Sequence, residues 1–178
     1  MIIAGIGNQA GLDFLKDCGI EIGHGIIADE YLKTNLPDVW TAGDIAEFSD
    51  VILEEQVELG NWVNAQSQGR VAGLNMTGQN QPFKLISSYN ALGFGIIITM
   101  IGDVRPEKLK RVIIRKLVNT KSIIQLFERF GELVGATFIN GTDELPTVTA
   151  LIEKGVKVTG LEANLADPNF PLHSLLPN

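Results

Sequence analysis

Val39-Trp40-Thr41-Ala42-Gly43-Asp44-Ile45-Ala46-Glu47, followed after an acidic stretch by Trp62-Val63-Asn64-Ala65-Gln66-Ser67-Gln68-Gly69-Arg70-Val71-Ala72-Gly73, decides how this chain is read. Val39–Ala42 is an apolar run of strand length that ends on a residue with no side chain and then on a carboxylate. Gly43 leaves room for a ligand to lie against the strand end, and Asp44 offers an acceptor suited to a sugar-like hydroxyl. Open α/β sheets take their ligands at the carboxyl ends of strands. From Asn61 to Met76 the chain favours helix, with Gly78 near its C-terminal end. Ala65, Gly69, Ala72 and Gly73 place small residues on one face of that helix, which permits close packing. The N–H groups of Asn61, Trp62 and Val63 at its start have no partner within a helix, and with the dipole they stabilise negative charge. The residues alone leave a second reading open, in which Asp44 caps a helix and the small face packs on a sheet.

Around this stretch the charge is uneven. The chain has 178 residues, 45% of them apolar, and a formal charge of −7. Residues 1–80 hold twelve acids and three bases, whereas residues 81–178 hold nine acids and eleven bases. Asp44, Glu47, Asp50, Glu54, Glu55 and Glu58 lie together without a base, and Arg105, Lys108, Lys110, Arg111, Arg115, Lys116 and Lys121 lie together with Glu107 as the lone acid. This change of sign predicts two units joined near Gly78-Gln79-Asn80-Gln81-Pro82. In the basic stretch the bases alternate with Val112, Ile113, Ile114, Leu117 and Val118 and lack stacking aromatics, so a strand with one solvated face is expected rather than a nucleic-acid surface. Docking of an acidic electron-carrier protein is the functional alternative there. No apolar run reaches the roughly 18 residues that span a bilayer, and Met1-Ile2-Ile3-Ala4-Gly5 lacks the layout of a secretion signal. The single cysteine, Cys18, cannot form an internal disulfide, so a cytoplasmic location with no membrane partner is expected.

Ile2-Ile3-Ala4 and Ile26-Ile27-Ala28 read as short buried strands, and Leu12, Phe14, Leu15 and Cys18 as the apolar side of a short helix, which makes Cys18 a core residue. In the second half Phe94–Ile101, Arg111–Val118, Ser122–Arg129 and Leu133–Ile139 are closely spaced β-type runs, the pattern of an antiparallel meander. Asp143 is placed to cap a helix from Glu144 to Lys154, with Pro146 in its first turn. The last twenty residues, rich in proline, read as an irregular tail. Gly5-Ile6-Gly7-Asn8-Gln9-Ala10 fits the dinucleotide fingerprint, with Asp29 and Glu30 about twenty residues on. The Gly23-His24-Gly25 turn interrupts the crossover that this fingerprint requires, and the alternative is a strand-to-helix turn elsewhere in a nucleotide-binding fold.

Residues 25–34 and 39–47, read as one unit, resemble the second flavin-binding motif of the FAD-dependent pyridine nucleotide-disulfide oxidoreductase superfamily. In that family a strand runs into Ala-Gly-Asp and the aspartate binds the flavin ribitol. Trp62–Gly73 is similar to the family helix whose N-terminus faces the isoalloxazine ring, and Ile2–Gly7 resembles the last strand of the family's NAD(P)H domain. The resemblance implies cofactor-binding roles for Gly43, Asp44, Asn61, Trp62 and Val63, with FAD as cofactor and NAD(P)H as electron donor of the full-length enzyme. Residues 81–178 resemble the family's C-terminal domain by element order, implying a homodimer and an electron-acceptor protein as partners. The expected fold is an α/β remnant of an FAD/NAD(P)-binding fold over residues 1–80, followed by an α+β C-terminal domain, a meander plus helix, over 81–178.

The chain departs from the family as well. The family's glycine-rich FAD fingerprint and complete NAD(P)H domain do not precede residue 1, and Ala10-Gly11 stand where the family has Pro-Asn. A redox cysteine pair would lie outside these residues. His173, followed by Ser174-Leu175-Leu176-Pro177, does not match the family's catalytic histidine, and His24 between two glycines reads as a turn residue. No catalytic residue is assigned, and the two histidines and one cysteine give no metal-ligand spacing. The expectation is therefore a part of a flavin-dependent oxidoreductase that is inactive as an isolated chain. The alternative is a non-enzymatic dimerisation or interaction module.

Overall fold

The computed structural model describes residues 1–7, 10–108, 111–117 and 122–177. The chain divides into two compact units, Met1–Leu85 and Ile86–Asn178.

The first unit is built on a three-stranded sheet of β1 (Ile26–Ala28), β2 (Ala46–Asp50) and β3 (Glu55–Glu58), in that order. β1 runs parallel to β2, and β3 returns antiparallel to it. Alternation along β2 buries Ala46, Phe48 and Asp50 and leaves Glu47 and Ser49 half-buried, as a period of two requires. The acidic cluster read from the sequence is thus a hairpin: the Asp50 carboxylate accepts the Ile52 and Leu53 N–H groups and closes the turn into β3. Against the sheet lies α1 (Trp62–Met76), whose buried face is Asn64, Gln68, Val71, Ala72 and Asn75. These positions recur at helical spacing. Phe48 and Phe83 meet edge to face at 5.2 Å in the core with Leu32, Val57 and Val71. Asn75 fastens the end of α1 by donating to the carbonyls of Tyr31 and Gln81 and accepting the Gln81 N–H.

Several sequence expectations for this unit are corrected. Ile2–Ala4 is no strand and is exposed, and of the glycine fingerprint Asn8 and Gln9 lie outside the described residues. Val39–Ala42 forms no strand either. Leu32 and Asp38 both have positive φ, so the segment folds back on itself, leaving one bridge, Lys33 to Trp40, and a bond from the Thr41 N–H to the Leu32 carbonyl. The first helix shrinks to a single 3-10 turn, Asp13–Leu15, that buries nothing, and Cys18 is exposed rather than core. Gly69 and Gly73 face open space, so of the expected small-residue face Ala72 is buried and Ala65 meets Gly43, while Asn64, Gln68, Val71 and Asn75 complete the packed face.

The second unit is a five-stranded antiparallel sheet of β4 (Ser88–Gly93), β5 (Ile96–Gly102), β6 (Arg111–Leu117), β7 (Ser122–Arg129) and β8 (Glu132–Ile139). The spatial order is β4-β5-β8-β7-β6. Only β6 to β8 form a meander, and β5 pairs with β8 instead of with its successor. Ile101, Ile113, Ile124, Leu126, Ala136 and Phe138 are buried in this sheet, and α2 (Leu145–Glu153) buries Val148, Leu151 and Ile152. Val118 and the expected connection Asn119-Thr120-Lys121 lie outside the described residues.

Asp143 does not cap α2. The cap position is Glu144, and its side chain bonds no helix N–H because Arg115 holds it. Arg115 is itself buried, so the expected solvated basic face is corrected at its centre. Its guanidinium also donates to the carbonyls of Leu165, Asp167, Pro168 and Phe170. Those contacts organise the expected irregular tail into α3 (Glu162–Ala166) and a 3-10 turn, Leu172–Leu175.

Candidate functional site

The residues singled out by the sequence meet at one place in the first unit. Gly43 takes φ +88°, a conformation that favours glycine, and turns the chain into β2. Its N–H donates to Gln68 Oε1 on α1 at 2.6 Å, and its carbonyl accepts the Ala46 N–H at 3.0 Å. A Cβ built on Gly43 would lie 3.7 Å from the Ala65 Cβ, so the turn rests directly on the helix. Asp44 follows it, exposed and without a hydrogen-bond partner among the described residues. A Cβ built on Gly60 would lie 3.5 Å from the Asp44 Cγ, so the carboxyl stands beside the residue that precedes the helix cap.

That cap is Asn61, whose side chain accepts the Asn64 N–H at 2.9 Å. Its carbonyl takes the Ala65 N–H. The orphan donors at the start of α1 are therefore those of Trp62 and Val63, both exposed. Asn61 is thus the cap of the helix, with its side-chain oxygen taken up in the first turn. The site so formed has an acceptor carboxylate, a turn with no side chain to fill it, and two N–H groups at the positive end of a 15-residue helix. This donor and acceptor set fits a polyol chain attached to an electron-rich ring.

Gln68, fully buried, is the residue that sequence reasoning missed. The available signal was Asn64, Gln68 and Asn75 recurring on one helical face, a pattern of buried polar side chains. Elsewhere His24 sits in a turn where its N–H donates to Glu47, and His173 lies in the 3-10 turn near the end of the chain. Among the described residues no three His, Cys, Asp or Glu side chains gather as metal ligands, and no helix is long and apolar enough to cross a membrane.

In the second unit Asp103 is buried between two arginines. Burial alone would push its carboxyl up, but hydrogen bonds from the Arg105 side chain and N–H, with the charges of Arg105 and Arg129, outweigh that and hold it below the ordinary carboxylate range. This cluster joins the segment after β5 to β7 and contributes nothing to the site around Asp44.

Residues 1–69 match the family described as pyridine nucleotide-disulphide oxidoreductase. Over those residues the chain is similar to that family. Over 112 residues it is 33% identical to an NADH-rubredoxin oxidoreductase of Clostridium acetobutylicum, covering 62% of this chain and 28% of that protein. Over 175 residues it is 27% identical to the ferredoxin reductase subunit of a 5,5'-dehydrodivanillate O-demethylase of Sphingobium, covering 98% of this chain and 42% of that protein. A ferredoxin reductase from Rhodopseudomonas palustris shares the fold at a TM-score of 0.83 and 22% identity, over 97% of this chain and 42% of the other. The chain thus spans less than half the length of these relatives. Enzymes of the pyridine nucleotide-disulphide oxidoreductase family use FAD and NAD(P)H.

Proposed function

We propose that the chain supplies one wall of a flavin site in an oxidoreductase that passes a hydride from NAD(P)H to FAD and electrons on to an acceptor. The observation that carries this reading is the unpartnered Asp44 carboxylate standing at the start of α1, beside a turn that Gly43 keeps free of side chains. FAD, when bound, supplies a carrier that takes two electrons from the nicotinamide and hands them on. Asp44 accepts hydrogen bonds from the ribitol hydroxyls and fixes the polyol against the turn. The Trp62 and Val63 N–H groups, backed by the helix dipole, stabilise negative charge on the ring.

The acceptor is a small electron-carrier protein, a reading supported by the rubredoxin and ferredoxin named for two relatives. The proposal extends to a cytoplasmic location and a homodimer. The proposal includes that these 178 residues alone do not oxidise NAD(P)H, since a single wall of a flavin site does not position donor and ring together.

The test uses the fluorescence of Trp62, which is 84% exposed at the helix start, read in a Trp40→Phe background because the chain has two tryptophans. FAD and riboflavin are expected to quench it in a saturable way, ADP-ribose is not, and NADH is consumed at the background rate. Equal quenching by ADP-ribose, or NADH turnover by the chain alone, contradicts the proposal.

A further inference from the structure

Among the described residues the Gly43–Asp44 turn, which packs on Ala65, is hydrogen-bonded to α1 through the Gln68 side chain. Gln68 is 0% exposed, and its Oε1 accepts the Gly43 N–H at 2.6 Å. Its Nε2 is equally buried and has no hydrogen-bond partner, and neither has the Thr41 hydroxyl two residues before Gly43. A buried amide that leaves a donor unsatisfied is a poor choice for packing, since a leucine or methionine would fill the position without that penalty. What Gln68 provides that an apolar residue cannot is the acceptor for Gly43.

The turn needs that acceptor. Gly43 has a positive φ, and on its N-terminal side the backbone bonds run back to residues 32–34 through the Lys33–Trp40 bridge and the Thr41 N–H, none of them to the helix. The other neighbouring bond, Ala46 N–H to the Gly43 carbonyl, closes the turn on itself and does not fix it to the helix. The Asp44 carboxyl keeps its place beside Gly60 only if the turn stays on α1.

We propose that Gln68 is a positioning residue for the flavin site: its carboxamide locks the Gly43–Asp44 turn onto α1, so that the carboxylate and the helix N–H groups face one ligand together. This rests on the flavin reading of that site. Gln68 itself touches no cofactor and acts through Gly43. Holding the acceptor rigid lowers the ordering cost of binding, which is what preorganisation contributes.

The experiment compares the full chain with Gln68→Met, which keeps the volume and loses the acceptor, and Gln68→Glu, which keeps an acceptor oxygen in place. Amide hydrogen exchange is read residue by residue by NMR, and FAD affinity from shift titrations. Gln68→Met is expected to speed Gly43 exchange about tenfold and to weaken FAD by about the same factor, the loss of one buried hydrogen bond. Exchange at Val71 and Ala72 on the same helix face stays unchanged. Gln68→Glu restores the Gly43 protection and most of the affinity.

If Gln68→Met leaves Gly43 protected, or speeds Gly43, Val71 and Ala72 alike, Gln68 is only a packing residue and the proposal fails. Should FAD still shift the Asp44 region in that case, the flavin reading survives without it. If instead Gly43 responds as expected but FAD shifts nothing in the wild type, the lock stands and the flavin reading falls.

Discussion

Arg115→Met tests the most consequential misfit between charge pattern and structure. The Arg115 side chain is 1% exposed and forks onto Glu144, with Nε and Nη2 each 2.7 Å from a carboxylate oxygen. Nη2 also donates to the carbonyls of Pro168 at 3.1 Å and Phe170 at 2.9 Å, so one guanidinium joins β6, the start of α2 and the tail. Removing one member of a buried ion pair typically destabilises by about 3–5 kcal/mol. Glu144 is 24% exposed and recovers part of its hydration, which places the expected loss near the lower end, about 3 kcal/mol. With a urea slope of about 1.5 kcal/mol/M, the unfolding midpoint of the second unit should fall by about 2 M. Circular dichroism of the five-stranded sheet reports the transition, and limited proteolysis shows residues 160–177 cut earlier. Arg115→Lys should recover little, because an ammonium cannot make the planar fork. A solvated surface base would change stability by no more than about 0.5 kcal/mol. A shift that small, with the tail still protected, refutes the buried role.

Three further outcomes are expected. Gly135→Ala should unfold the second unit or destabilise it by about 3 kcal/mol in urea melts, since the added Cβ would lie 2.2 Å from the Asp103 carbonyl and 2.8 Å from that of Ile101, both backbone atoms. Asp103 has its folded pKa depressed, so its stabilising contribution is complete above about pH 4 and is lost as pH falls through the lower folded value. Urea midpoints of Asp103→Asn should therefore lie below the wild type at pH 6 and converge with it in acid, and a constant gap would contradict the ion cluster. Cys18 is exposed, so the native protein should react with one equivalent of a thiol reagent as fast as the unfolded chain does, whereas a core cysteine would react only on unfolding.

The site was more legible than the framework that holds it. α1 was placed to within a residue, because the helix expected from Asn61 to Met76 closes near Gly78, a signal local in sequence. The Gly-Asp pair stood out through the family resemblance, since the residues alone left a helix-capping reading open. The strand expected before it was not formed, since the positive φ of Leu32 and Asp38 is set by the fold-back of the loop and leaves no trace in an apolar run. Gln68 was missed because a buried glutamine runs against the ordinary preference for exposure.

Arg115 defeated the alternation rule in another way. On β6 both faces mix apolar and basic residues, and the acceptors that bury Arg115 lie 29 to 55 residues further along. Cys18 was misplaced because helical spacing over so few residues specifies a face only when a partner surface packs against it. β4 carries no clear alternation, and apart from Tyr89 its residues are exposed, so nothing in Ser88–Gly93 marked it as a strand.

Whether Asp44 and the start of α1 form one wall of a flavin site is decided by a shift-mapped titration of the full chain with FAD. The account predicts that the amides of Gly43, Asp44, Trp62 and Val63 move together on one saturation curve, and that Asp44→Asn weakens this curve by about tenfold, the loss of one charge-assisted hydrogen bond. Shifts confined to other residues, or an unchanged curve for Asp44→Asn, would contradict it.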